Sequence, residues 1–173
     1  PLYYLDFETF NPAIPFYDGM KSYQKVPFQF SLYVVRREGG KPEHYSFLAK
    51  DKKDPRKELL SELKKVLGET GTIIVYNQTF ELGVLRELGN NFPEYKNWVE
   101  NMLGRVVDLW VPFRSFYYYN PVQHGSTSIK SVLPALTGNG YKDLDIADGG
   151  TASIKFLEAA FNDISEKENT LVI

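Results

Sequence analysis

The chain has 173 residues, 43% of them hydrophobic and 24% charged, and a formal net charge of −2, which describes one soluble domain able to bury its own core. It has no cysteine, which excludes a disulfide framework, thiolate metal sites and cysteine nucleophiles, and no run approaches the roughly eighteen apolar residues of a membrane span. A calculated pI near 5.8 argues against a broad basic surface and against tight non-specific duplex binding. The opening Pro1-Leu2-Tyr3 carries neither an initiator methionine nor a leader pattern and reads as an internal cut from a longer protein; a cytoplasmic location away from membranes is expected.

The first predicted element is a strand over residues 2 to 8, ending in Asp6-Phe7-Glu8-Thr9. A loop rich in turn formers and aromatics follows. Residues 27 to 35 alternate, with Phe28, Phe30, Leu32 and Val34 on one face and Gln29, Ser31 and Tyr33 on the other, the period of a half-buried strand. Gly39-Gly40 turns the chain and residues 44 to 49 return as its hairpin partner. Asp54-Pro55 reads as a cap and first helical residue, and the helix carries Leu59, Leu60, Leu63, Val66 and Leu67 until Gly68 ends it. Thr72 to Tyr76 is apolar all round, as an interior strand is. A second helix follows Asn77, with Phe80, Val84, Leu85 and Leu88 on one stripe and Gly89 as its stop. Residues 95 to 103 are helical by pattern and 105 to 109 form a short strand. Residues 113 to 119 are strongly aromatic and ambiguous. Residues 126 to 136 make a helix bent or shortened by Pro134. Residues 137 to 150 read as loop, and Thr151 or Ser153 caps a last helix through Phe161. The first three strands are expected antiparallel and the later ones parallel to the first. The whole forms one α/β domain with a mixed five-stranded sheet between helices.

Three places carry chemistry. Residues i and i+2 of a strand point the same way, so Asp6 and Glu8 stand side by side with Phe7 in the packing. Adjacent carboxylates repel and are best accommodated around a cation, and oxygen-only donors favour Mg²⁺ or Mn²⁺. Asp-x-Glu is also a common solvated strand end. Second, Asn77 to Glu81 lies where an interior strand passes into a helix, the region in which α/β sheets bind ligands. Asn77 suits a turn or cap, and Glu81 in the first turn equally suits the helix dipole. Third, Asp108 ends another apolar run and equally suits an N-cap.

These elements resemble the DEDD superfamily of 3′-5′ exonucleases, which have a ribonuclease H-like fold of three layers. Asp6-Phe7-Glu8-Thr9 matches its first motif. Asn77-Gln78-Thr79-Phe80-Glu81 resembles the second, with Glu81 in place of the usual aspartate, and Asp108-Leu109 resembles the opening of the third. More narrowly, residues 27 to 31, Ser128-Ile129-Lys130 and Leu144-Asp145-Ile146-Ala147-Asp148-Gly149 resemble the DUF2779 domains of bacteria. The resemblance implies two-metal phosphodiester hydrolysis with Asp6, Glu8, Glu81 and Asp108 as catalytic acids and Asp6, Glu8 and Asp108 as metal ligands. Thr9, Phe10, Asn77, Phe80 and Lys130 are its weaker substrate-binding candidates, with single-stranded ends of DNA or RNA as partner. The last motif, a Tyr or His followed by an Asp on a helix, has no match. Asp145 and Asp148 lie in the loop and Asp163 lacks an aromatic or histidine partner. The final ligand is therefore expected beyond Ile173, and these residues alone are expected to hydrolyse little. Two other classes stay open. One is a non-catalytic domain that binds nucleic acid, a protein or the rest of its own chain; the other is a phosphoesterase of small nucleotides.

Overall fold

The computed structural model describes residues 1–140 and 148–161. A five-stranded sheet runs through it in the order β3-β2-β1-β4-β5, with β1 at Leu2–Phe10, β2 at Val26–Val35, β3 at Glu43–Leu48, β4 at Thr72–Val75 and β5 at Val106–Asp108. The three leading strands pair antiparallel, whereas β4 and β5 join β1 in parallel. This is the pattern that short turns and helical crossovers impose.

Up to the end of their regular pairing, the odd residues of β1 and residues 30, 32 and 34 of β2 face one apolar core. Tyr3, Leu5, Phe7, Phe30, Leu32 and Val34 are buried there against Leu59, Leu60 and Leu63 of α1 (Arg56–Val66), and Val84, Leu85 and Leu88 of α2 (Gln78–Asn91). Trp98, Val99 and Met102 of α3 (Lys96–Leu103) close the same core. Gly89 lies inside α2 and does not stop it. A Cβ there would stand 3.2 Å from a methyl of Val99, so the glycine serves the approach of α3. Helix α1 begins one residue after Pro55. Asp54 still meets its first free donor, accepting from the Arg56 amide at 3.1 Å, and its carboxylate takes both arms of the buried Arg56 guanidinium at 2.9 and 2.6 Å.

The other sheet face is dressed differently. Between Glu8 and Thr9 the register with β2 shifts, Glu8 standing opposite Gln29 and Thr9 opposite Pro27, so that Phe28 is skipped. Such a bulge bends a strand and re-aims its side chains. Beyond it Phe10, Val26 and Phe28 form a second apolar cluster with Ala152 and Phe156 of the last helix, α6 (Gly149–Phe161), where the Phe28 and Phe156 rings stack at 4.2 Å. Nearer the start of β1 the same face remains open at Leu2, Tyr4 and Tyr33. Two short helices complete the described residues, α4 at Val111–Arg114 and α5 at Ile129–Thr137. Ser128 caps α5, its side chain accepting from the Lys130 amide, and Pro134 sits inside α5.

Candidate functional site

Because β1, β4 and β5 run parallel, their C-terminal ends open in one direction. Tyr4 stands opposite Ile74, and Val75 opposite Asp108. Asp6 continues β1 past that register, Asn77 and Glu81 continue β4, and Asp108 closes β5. The four acids singled out in the sequence therefore come to one end of the sheet.

Their environments differ. Glu81 is buried at 3% exposure, and one carboxylate oxygen, Oε2, has no hydrogen-bond partner. Burial first, then the charges of Asp6 and Asp108, push its pKa up to about 8, with Lys25 opposing them. Asp6 keeps access to solvent, but the surrounding chain displaces enough water to raise its pKa, against the pull of the Phe7 amide. Glu8 is raised by loss of water, then by Asp6 and Asp148, while Lys130 draws it down. Asp108 is buried. Its Oδ1 accepts from the Asn77 and Trp110 amides, both at 2.9 Å, and its Oδ2 has no partner. One Asp108 oxygen therefore holds the turn, and the other is buried without a hydrogen-bond partner.

Asn77 does not cap α2 through its side chain. It takes a left-handed backbone, φ 72°, ψ 70°, which aims its amide at Asp108 and swings the chain from β4 into the helix. Phe80 is half-buried beneath the Lys25 ammonium, 4.3 Å from its ring centre. Thr9 offers its backbone carbonyl to the Ser153 hydroxyl at 2.6 Å. Phe10 corrects an expectation: its ring is 1% exposed within the second apolar cluster and is not available to stack on a nucleotide. Lys130, exposed near the start of α5, lies close enough to Glu8 and Asp148 to favour ionisation of both.

The approach of α6 to Glu8 is the part the sequence did not convey. The helix starts at Gly149, ahead of Thr151 and Ser153, and Asp148 caps it by accepting from the Thr151 amide at 2.9 Å and hydroxyl at 2.8 Å. Those bonds hold the Asp148 carboxyl below its usual range. Ser153 spends its hydroxyl on the Thr9 and Gly149 carbonyls. A Cβ on Gly149 would lie 2.7 Å from Glu8 Oε2, so the glycine lets the helix start directly against that carboxylate, which must shift for any larger residue. Asp-Gly-Gly-Thr carries a cap signal, acid at the cap and Thr three residues on, but its glycines disguise the helix as loop. Lys25 gave no signal at all, since it lies in a loop and faces Glu81 only after folding. Asp145 and Asp163 lie outside the described residues.

Among the described residues no three acidic or histidine side chains are gathered closely enough to form a ready metal cage. Residues 3–128 match the family described as a domain of unknown function, DUF2779. The chain belongs to the DUF2779 family. That match takes in Asp6, Glu8, Glu81 and Asp108 of this DUF2779 member and ends before Lys130 and α6. No curated protein and no solved structure matches the chain. Among the described residues no helix is long and apolar enough to cross a membrane.

Proposed function

We propose that this DUF2779 chain is the body of a metal-dependent nuclease domain of the 3′-5′ exonuclease type, hydrolysing phosphodiester bonds of DNA or RNA. The observation that carries the reading is the pair of buried, unpartnered carboxylate oxygens on Glu81 and Asp108, set beside Asp6 where three parallel strands end. Leaving such atoms dry and unpaired is costly, and a cation is the partner that acids of this kind most readily accept. A mixed five-stranded sheet with one strand reversed and helices packed on it agrees with the ribonuclease H-like fold that the resemblance implies.

Asp6, Glu8 and Asp108 are the residues that would hold Mg²⁺ or Mn²⁺, with Glu81 joining directly or through water; the donor set, all oxygen, fits those ions. The bound ions would supply an activated water and stabilise the leaving oxygen. The chain's own residues do the rest. The Asp108 turn fixes β5 against the start of α2, so that the two unpaired oxygens keep their places. Glu81 holds a proton when no cation is near, which limits repulsion among the acids. Lys130 offers a positive charge beside Glu8 for a phosphate oxygen.

The test is an assay of the full-length protein on end-labelled single-stranded DNA and RNA, with Mg²⁺, Mn²⁺ or chelator. Metal-dependent shortening from the 3′ end, lost in Asp6→Asn, is the expected result. Intact substrate in the presence of folded protein and Mn²⁺ overturns it. A second reading is a non-catalytic binding domain on the same fold. It predicts that Mn²⁺ calorimetry shows no binding that Asp6→Asn removes.

A further inference from the structure

The segment that leaves Asp108 is built unlike the rest of the surface. Phe116, Tyr117, Tyr118 and Tyr119 are 62%, 82%, 38% and 46% exposed, a run of aromatic rings turned outward where soluble domains rarely keep one without use. The rings are not loose. The Phe116 amide donates to the Phe113 carbonyl at 3.0 Å and the Tyr117 amide to that of Pro112 at 2.9 Å. The Tyr119 hydroxyl accepts from the Gly125 amide at 3.2 Å. Phe116 is held at φ 55°, a left-handed backbone that disfavours a bulky side chain, and its ring gains little burial in exchange. Strain at an exposed residue points to a use for the ring's position.

The shelf is joined to the acids. Trp110 donates its amide to Asp108 and its indole N–H to the Thr127 hydroxyl at 2.9 Å. The Tyr76 hydroxyl meets the Thr127 carbonyl at 2.5 Å and its ring lies 6.2 Å from Phe113. From Thr127 the chain runs straight to Lys130, beside Glu8. Charge sets the shelf apart as well. In a chain with 22 acidic residues, none occurs from Leu109 to Gly140, while Arg114, His124 and Lys130 do. The Arg114 guanidinium lies 5.3 Å from the Trp110 ring centre.

We propose that residues 110–119 form a stacking shelf for the unpaired bases of single-stranded nucleic acid, leading the strand toward the acids at the end of the sheet. Exposed π-faces in an acid-free, cation-bearing segment suit a polyanion whose bases are free to stack. A duplex offers no such faces, and the net charge of −2 gives no basic track to bind it by phosphates alone. This deepens the nuclease reading by naming the surface on which the single strand would lie. It rests on that reading only for where the strand leads, because binding is measured without hydrolysis.

The experiment is fluorescence anisotropy of short labelled oligo(dT) and oligo(U) with the full chain in chelator, against a blunt duplex and an abasic strand of equal charge. The single strands should bind more tightly than both controls. Tyr117→Ala and Phe116→Asn, the latter keeping a residue at ease in the left-handed backbone, should each weaken binding about 5- to 150-fold, the range spanned by loss of one base–aromatic stack, with no fall in melting temperature. Tyr117→Trp should restore it. Equal binding of the abasic strand, or variants that bind as the parent does, overturns the proposal. So does loss of self-association in these variants by sedimentation with oligonucleotide binding unchanged, which would make the shelf a protein contact. Oligonucleotide binding with no metal-dependent cleavage would remove the nuclease reading and leave the shelf standing.

Discussion

Replacing Glu81 by glutamine keeps the shape of the side chain and removes its charge. The folded protein raises this carboxyl from 4.5 to about 8, so between those values folding takes up a proton that the unfolded chain has released. The stability tied to Glu81 is therefore complete below the unfolded value and is lost as pH rises through the folded one. Each pH unit across that window is worth about 1.4 kcal/mol, so the parent loses about 3 kcal/mol by pH 7 and levels off near 5 kcal/mol above pH 8. Glutamine has no such dependence. In chelator, Glu81→Gln should match the parent below about pH 4.5 and exceed it by about 3 kcal/mol at pH 7, read from urea denaturation curves taken at steps from about pH 4 upward. Mn²⁺, which favours the ionised carboxylate, should stabilise the parent at alkaline pH more than the variant. Parallel stability curves for the two proteins from acid to alkaline pH would refute the reasoning, since Glu81 would then ionise as readily folded as unfolded.

Gly149→Ala places a methyl 2.7 Å from Glu8 Oε2. Because a carboxylate at the end of a flexible side chain can swing aside, the melting temperature should change little while calorimetric Mn²⁺ affinity falls, and an unchanged affinity would detach α6 from the site. Arg56→Lys loses the two-armed contact with Asp54 and the positions near the Tyr17 and Phe92 rings, 5.9 and 5.7 Å from the guanidinium. A cost of about 1–3 kcal/mol is expected by thermal or urea denaturation, and a variant as stable as the parent would show that the buried pair contributes nothing net.

Periodicity carried most of the fold into view. The alternation from Phe30 to Val34 and the apolar Thr72–Val75 run each follow one core, so sequence pattern and burial coincide there; Phe28, expected on the same face, packs instead with Phe10 and Phe156 because the register shifts beyond Glu8. The mixed five-stranded sheet, its antiparallel start and parallel continuation are as expected, and membership of the DUF2779 family agrees with the resemblance seen at residues 27 to 31. What stayed hidden depends on contacts between distant residues. Gly89 looks like a stop because local propensity knows nothing of Val99. Phe10 suits either packing or stacking on a nucleotide by sequence alone, and packing is decided by Phe28 of β2 and by Phe156, on a helix whose glycine-rich start reads as loop. Asp6, Glu8 and Asp108 were legible as acids at strand ends, but the burial of Glu81 that lifts its pKa was not, since the helix dipole explains a glutamate in that position equally well.

The Ser153–Thr9 bond joins residues 144 positions apart, and it bears on the order in which the molecule assembles. The principal core needs nothing later than Val106, so it can condense while the last helix is still unformed. The second cluster must then close nearly the full length of the chain, an entropic cost that local pairing does not meet. Glu8 consequently belongs to two cooperative units, its strand to the early one and its immediate surroundings to the late one. Amide exchange should find the Phe10–Ser153 seam opening before β1 itself does, so the surroundings of Glu8 can open and reclose without unfolding the sheet that presents it.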